Sequence, residues 1–156
     1  MSAGKIQVAN RQTQFKIRAS AVASFCVAAM RSLDHGAAAL SVVFVGPRKM
    51  RSINKTYLQH DYATDVLSFS YKGSVTDDES FLGEIIIAPE VAAGNAIRYG
   101  TNLEKELRKL LVHGILHLLG YNHETDGGQM NRLQARVLRS RLLIKTCSLV
   151  DIKRIE

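Results

Sequence analysis

Three histidines fall in one short run, His113-Gly-Ile-Leu-His117-Leu-Leu-Gly120-Tyr-Asn-His123, and their spacing leaves the backbone little freedom. Residues four apart on an α-helix share a face, roughly 6 Å apart along the axis, so His113 and His117 point the same way. Gly120 can take the left-handed conformation that ends a helix and turns the chain back. That turn brings His123 within reach of the same point. Apart from the histidines, every residue from Leu110 to Leu119 is apolar or glycine. Burying two imidazoles there without partners costs about 1–3 kcal/mol each, and a metal removes the cost. Three neutral imidazoles with a fourth position open form the pattern of a catalytic zinc site. The expectation is one Zn2+ per chain, held by His113, His117 and His123.

Zinc peptidases with this spacing carry a glutamate directly after the first histidine, where it serves as general base. Here that position is Gly114, and a glycine cannot move a proton. The scaffold is a metzincin-like zinc helix without the peptidase base. A structural zinc site would close with four protein ligands, often cysteines. Near His123 only Glu124 and Asp126 offer a fourth.

A chain of 156 residues, 46% apolar and 22% charged, is expected to form one domain over 1–156 with a core of normal size. Its two cysteines, Cys26 and Cys147, are far apart and make neither a zinc knuckle nor a disulfide framework, which fits a reducing cytoplasm. The longest apolar stretch, Ala19 to Met30, is broken by Ser20 and Ser24 and is too short to span a bilayer. Arg18 before it gives a faint likeness to a secretory leader. The strand-like Ile6-Gln7-Val8 upstream makes an alanine-rich helix the better reading. No membrane partner is expected.

Lysine and arginine total 21 against 14 acidic residues, a net charge of +7. In so small a chain that balance favours a polyanionic partner such as nucleic acid. Arg132, Arg136 and Arg139 follow i, i+4, i+7 on one helical face, with Arg141 and Lys145 nearby. The competing reading is a solvated helix face.

Along the chain, Ile6 to Val8 reads as a strand and Arg18 to Leu33 as a helix ended by Asp34-His35-Gly36. The β-branched run Leu40 to Val45 reads as a buried strand. A helix from Gly46-Pro47 to about Leu58 follows, with proline in its first turn. Asp65 to Tyr71 reads as a third strand, and the order strand, helix, strand suggests a right-handed parallel crossover. Lys72 to Ser80, with Asp77-Asp78-Glu79, reads as a solvated turn without calcium-loop spacing. Gly83 to Ala88 reads as a fourth strand. Pro89-Glu90 opens a helix to about Tyr99-Gly100, Thr101-Asn-Leu-Glu104 is a capping box opening the histidine helix, and a last helix runs from Gln129 to Ile144. The fold class is α+β, a small mixed sheet of about four strands packed by about five helices, with the histidine helix beneath it.

Asn54-Lys-Thr-Tyr57 with Thr64-Asp65-Val66-Leu67-Ser68-Phe69, then Gly83-Glu84-Ile85, then the histidine run with Gly114 after its first histidine, together resemble the YbeY family of bacterial metal-dependent endoribonucleases. The resemblance covers most of the chain after about residue 40. It implies a single-strand-specific endoribonuclease of ribosomal RNA processing, acting in 16S 3′-end maturation and ribosome quality control. It further implies a cytoplasmic location and the ribosome or its proteins as partners. Two positions depart from the family pattern. Leu58 stands where the family usually has an arginine after its tyrosine, leaving Lys55, His60 or Arg98 to take that place. Asn122 stands where aspartate is more common, which changes the charge beside the metal but not the ligand set.

Three neutral ligands leave zinc its double charge, which lowers the pKa of bound water to about 7 and polarises a phosphoryl oxygen. Cleavage then has two routes, attack by water at the metal or by the RNA 2′-hydroxyl. Asp65 and Ser68 are candidates to contact substrate or to order the cleft. Arg98, Arg132, Arg136 and Arg139 are candidates to hold RNA. With Leu58 in place of an arginine, affinity is expected to rest on a spread basic surface. Two other readings compete. One is a zinc peptidase using Glu84 or Glu124 as base. The other is a non-catalytic, zinc-containing RNA-binding or ribosome-assembly protein.

Overall fold

The computed structural model describes residues 4–71 and 80–151; Asp77-Asp78-Glu79 lies outside them. Four strands form one sheet: β1 (Ile6–Asn10), β2 (Ala39–Phe44), β3 (Val66–Ser70) and β4 (Phe81–Ile87), in the order β1-β2-β4-β3. β1, β2 and β4 are parallel, and β3 runs antiparallel along the outer side of β4. The sheet is mixed, as expected. The parallel crossover is made by β1 and β2 through helix α1 (Ala19–Ser32). The next unit departs from the expectation. After β2 and helix α2 (Pro47–Leu58) the chain enters β3, which is not beside β2 and points the other way, because β4 takes the central position. A strand, helix, strand order fixes the elements but not the direction of the last one. β3 and β4, consecutive in sequence, pair as antiparallel neighbours.

Two apolar layers sandwich the sheet. Along β4, Ile85 and Ile87 join the larger layer, built from Phe25 and Met30 of α1 and from Leu107, Leu111 and Ile115 of helix α4 (Leu103–Leu118). Ile86 faces the other way, into a smaller layer with Val43, Leu67 and Met50 of α2. The strands are apolar on both faces because helices lie on both. Helix α3 (Pro89–Arg98) packs along α4.

α4 begins one residue later than the capping box predicts. Asn102, not Thr101, is the N-cap, and its side chain accepts from Lys105 N at 2.9 Å. Glu104 is drawn away from a capping role: its Oε1 accepts from Leu149 N at 2.7 Å and its Oε2 from Arg108 Nε. The last predicted helix is broken. α5 (Gln129–Leu138) stops, Ser140 caps a new start through Leu142 N, and the short α6 (Arg141–Ile144) follows. A serine that bonds its own downstream backbone competes with helix continuation. Arg139 is therefore the C-cap of α5 rather than a third rung on one face. No helix among the described residues is long and apolar enough to cross a membrane.

Candidate metal centre

α4 carries the first two histidines, and its end is built to deliver the third. Gly120 N–H bonds to His117 O and Tyr121 N–H to Leu116 O, both at 3.0 Å, with Gly120 at φ +100°. This is the paired closure of a Schellman turn, which glycine makes without Cβ strain. The chain reverses there, and His123 comes back over α4. The imidazole nitrogens of His113, His117 and His123 then lie within 4.8 Å of one another, the one such group among the described residues. His113 Nε2 and His117 Nε2 are 3.1 Å apart.

One hydrogen bond orients the first of these rings from outside. Gln134 Oε1, an acceptor on α5, lies 3.0 Å from His113 Nδ1. His113 therefore donates from Nδ1 and turns the lone pair of Nε2 toward the cluster. The Tyr121 backbone is near enough to the His117 ring to favour its protonated form. Burial pushes both rings below the ordinary histidine value; for His113 the Gln134 bond and the Asp65 charge pull the other way without prevailing. Rings kept neutral, aimed inward and held from outside are the donor set a divalent zinc-like ion requires. The residues present fit such an ion. Asp126 is not a fourth ligand, since its carboxylate accepts from Gly128 N at 2.9 Å and Met130 N at 2.7 Å and so begins α5.

The other candidates divide clearly. Asp65, at the head of β3, is close enough for its charge to act on His113, and Asn95 of α3 donates to its Oδ2 at 3.2 Å. Ser68 lies two residues beyond Val66, on the same face of β3 as the α4 layer. Arg98 is exposed, one turn past Asn95 on α3. Arg132, Arg136 and Arg139 are exposed, and none forms an ion pair among the described residues. Two of the three substitutes for the missing arginine are engaged. Lys55 sits 3.9 Å from Asp61, beside the Arg51–Asp61 pair, and His60 stacks on Tyr62. Leu58 is exposed to solvent.

Of the two peptidase bases, Glu84 is turned away from the cluster and Glu124 is not. Glu84 shares the face of Ile86, away from α4, and accepts from the Tyr71 hydroxyl at 3.4 Å. Glu124 lies in the exposed loop after His123, near enough for its charge to act on His117.

Gln134 and Asn95 escaped the sequence reading. Gln134 left a signal: it occupies the i+4 position between Met130 and Val137, on the buried stripe of α5. A polar residue in a core phase asks for a partner. Asn95 left none.

The model of the family described as "Endoribonuclease YbeY" matches residues 6–141. A protein of that description from Thermodesulfovibrio yellowstonii is 41% identical over 102 residues, spanning 64% of each chain. One from Aquifex aeolicus is 35% identical over 76% of this chain and 79% of its own. One from Alkaliphilus metalliredigens is 33% identical over 87% and 94%. The solution structure of TM1509 from Thermotoga maritima superposes with a TM-score of 0.59 at 25% identity, over 85% of this chain and 86% of that one.

Proposed function

Because this chain belongs to the YbeY endoribonuclease family, we propose that it is a metal-dependent endoribonuclease that cuts single-stranded RNA. Its place is in ribosomal RNA processing, at 16S 3′-end maturation, in the cytoplasm, with the whole chain acting as one domain. The observation that carries the reading is the convergence of His113, His117 and His123 on a helix whose next residue is Gly114. That is a zinc-type donor set without the proton carrier a peptidase needs at this position.

A divalent ion on these three histidines supplies positive charge where a phosphodiester develops negative charge. The rest of the work falls to the chain. Gln134 holds His113 in the orientation that leaves its inner nitrogen free. Asp65, fixed by Asn95 and by Thr64 Oγ1 at 3.4 Å, is near enough for its charge to act on His113 and takes the proton of the attacking hydroxyl as the new P–O bond forms. The P–O bond to the departing nucleotide oxygen breaks, and that oxygen takes a proton from solvent. Ser68, three residues further along the chain, orders the cleft from β3. Arg132 and Arg136, exposed on α5 and outside any ion pair among the described residues, draw in the polyanion.

The test is to incubate zinc-loaded protein with single-stranded RNA, duplex RNA and a peptide panel, alongside chelated protein and His117→Ala. Zinc-dependent cutting of single-stranded RNA alone, lost in His117→Ala, is the expected result. Cutting of peptides with RNA left intact makes the protein a peptidase. Full metal retention with no cutting of either makes it a binding protein.

A further inference from the structure

The positive charge on α5 is gathered at one place. Arg132 and Arg136, one turn apart, line a pocket of about 320 Å³ together with Gln129 and Leu133 of the same helix and Tyr121 of the histidine loop. Arg132 Nη1 makes one long bond, 3.4 Å, to the Gly127 carbonyl. Among the described residues no hydrogen bond or ion pair engages the Arg136 side chain. Two like charges at i, i+4 repel each other. Asp126 is near enough for its charge to act on Arg132, but no carboxylate forms an ion pair with either arginine among the described residues.

The pocket is tied to the metal centre from two sides. Tyr121, one of its walls, has its backbone close to the His117 ring and stands two residues before His123. α5 forms the other wall, and its opposite face carries Gln134 on His113. A ligand in the pocket is thus about one helix diameter, roughly 10 Å, from the histidine cluster.

We propose that this pocket is a nucleotide subsite, in which Arg132 and Arg136 jointly grip one phosphate and the attached base lies against Tyr121 and Leu133. The proposal rests on the endoribonuclease reading and adds to it the place where a neighbouring nucleotide of the strand is held. Paired guanidinium forks match phosphate oxygens. An aromatic ring beside them takes the face of any base, without sequence preference. Tyr121 and Leu133 are partly buried against the main apolar core, and what they leave open in the pocket is an apolar wall that a bare phosphate would not use. Arg139, at the C-cap, is outside the pocket.

The test uses the full chain with zinc bound. Affinity for fluorescein-labelled oligo-2′-O-methyluridylate is read by anisotropy across a salt series, and KM is read with unmodified oligouridylate. Arg132→Gln and Arg136→Gln should each weaken binding about tenfold, the loss of one charge-assisted contact. The double variant should fall little further, because one phosphate is shared, and its salt slope should be shallower by about 0.7, one single-strand phosphate. Tyr121→Phe should bind as the native chain does, and Tyr121→Leu several-fold more weakly. The control Arg141→Gln with Lys145→Gln removes the same charge elsewhere on the surface and should leave affinity nearly unchanged. The subsite is overturned if the control weakens binding as much as the pocket pair. It is also overturned if the two arginine losses simply add, with a slope change near 1.4. If native protein cuts oligouridylate and the arginine variants keep its KM, the subsite fails and the endoribonuclease reading stands. If native protein neither binds nor cuts the oligonucleotides, the reading beneath it has failed.

Discussion

The backbone of Gly114 lies directly against the side chain of Ile85: a β-carbon at position 114 would fall 2.9 Å from Ile85 Cδ1, with Cγ2 and Cγ1 at 3.0 and 3.1 Å. α4 thus rests on β4 at the residue next to the first histidine of the cluster. The glycine that deprives the site of a peptidase base is also the one that lets the helix approach the sheet. A glutamate there would drive its β-carbon against a fully buried isoleucine.

Gly114→Val should therefore lower unfolding free energy by about 1–3 kcal/mol through overpacking. Ile85→Val alone should cost about 0.5–1.5 kcal/mol. Combined, the two should cost less than their sum, because removing Cδ1 opens the space the new side chain needs. Urea denaturation of the four proteins checks this, and strict additivity would show that the two residues do not press on each other.

Gln134→Leu should keep the fold, since the residue lies between Met130 and Val137 on the buried stripe of α5. It removes the acceptor that fixes His113. Zinc affinity should drop about 10- to 100-fold, read by competition with a chromogenic chelator, whereas Gln134→Glu keeps an acceptor and should retain binding. Equal affinity in the leucine variant would mean that the His113 ring is positioned by packing alone.

Local rules made much of this legible, and the misses share a cause. The i, i+4 histidines, the glycine turn and the β-branched runs all act within a few residues, so their elements stand where the spacing puts them. Thr101 loses the N-cap to Asn102 because Glu104 is claimed by Leu149, 45 residues away. The direction of β3 depends on β4 entering the sheet beside β2, a competition between strands that no single segment encodes. Asn95 reaches Asp65 only once α3 has packed on α4. Arg139 departs from the Arg132–Arg136 face because Ser140 starts a new helix, and that signal was present in the sequence.

The metal-free protein should lose stability as pH falls. Burial holds the His113 and His117 rings below the ordinary value of 6.5 in the folded chain. The unfolded chain therefore takes up protons first as acid is added. The contribution of these rings is complete above about pH 6.5 and declines as pH drops from there through their lower folded values. Urea midpoints at pH 7.5 and pH 5 should differ in that sense, and by less in a His113→Gln, His117→Gln double variant. An unchanged difference in that variant would assign the acid sensitivity to other groups.

Thiol chemistry should separate the two cysteines. Cys26 is fully buried in α1 and its thiol is pushed up to about 12 by that burial, whereas Cys147 is exposed. The thiolate is the reactive form. At pH 8 a disulfide reagent should titrate one thiol in the native protein and two in denaturant. Two fast thiols in the native state would mean that α1 opens on the timescale of the assay.

The Schellman turn at Gly120 has a consequence for how the ion is captured. Three donors delivered by one uninterrupted segment form a chelate whose ring closures are short, so little chain entropy is lost when the ion bridges them. The sheet need not move for an ion to enter or leave. Such a segment is portable: the end of another helix, given the same glycine turn and third histidine, would present the same three nitrogens. What would not travel with it is Gln134, which comes from α5 and sets one ring from outside. A transplanted loop should therefore bind metal, but less tightly than the chain it came from.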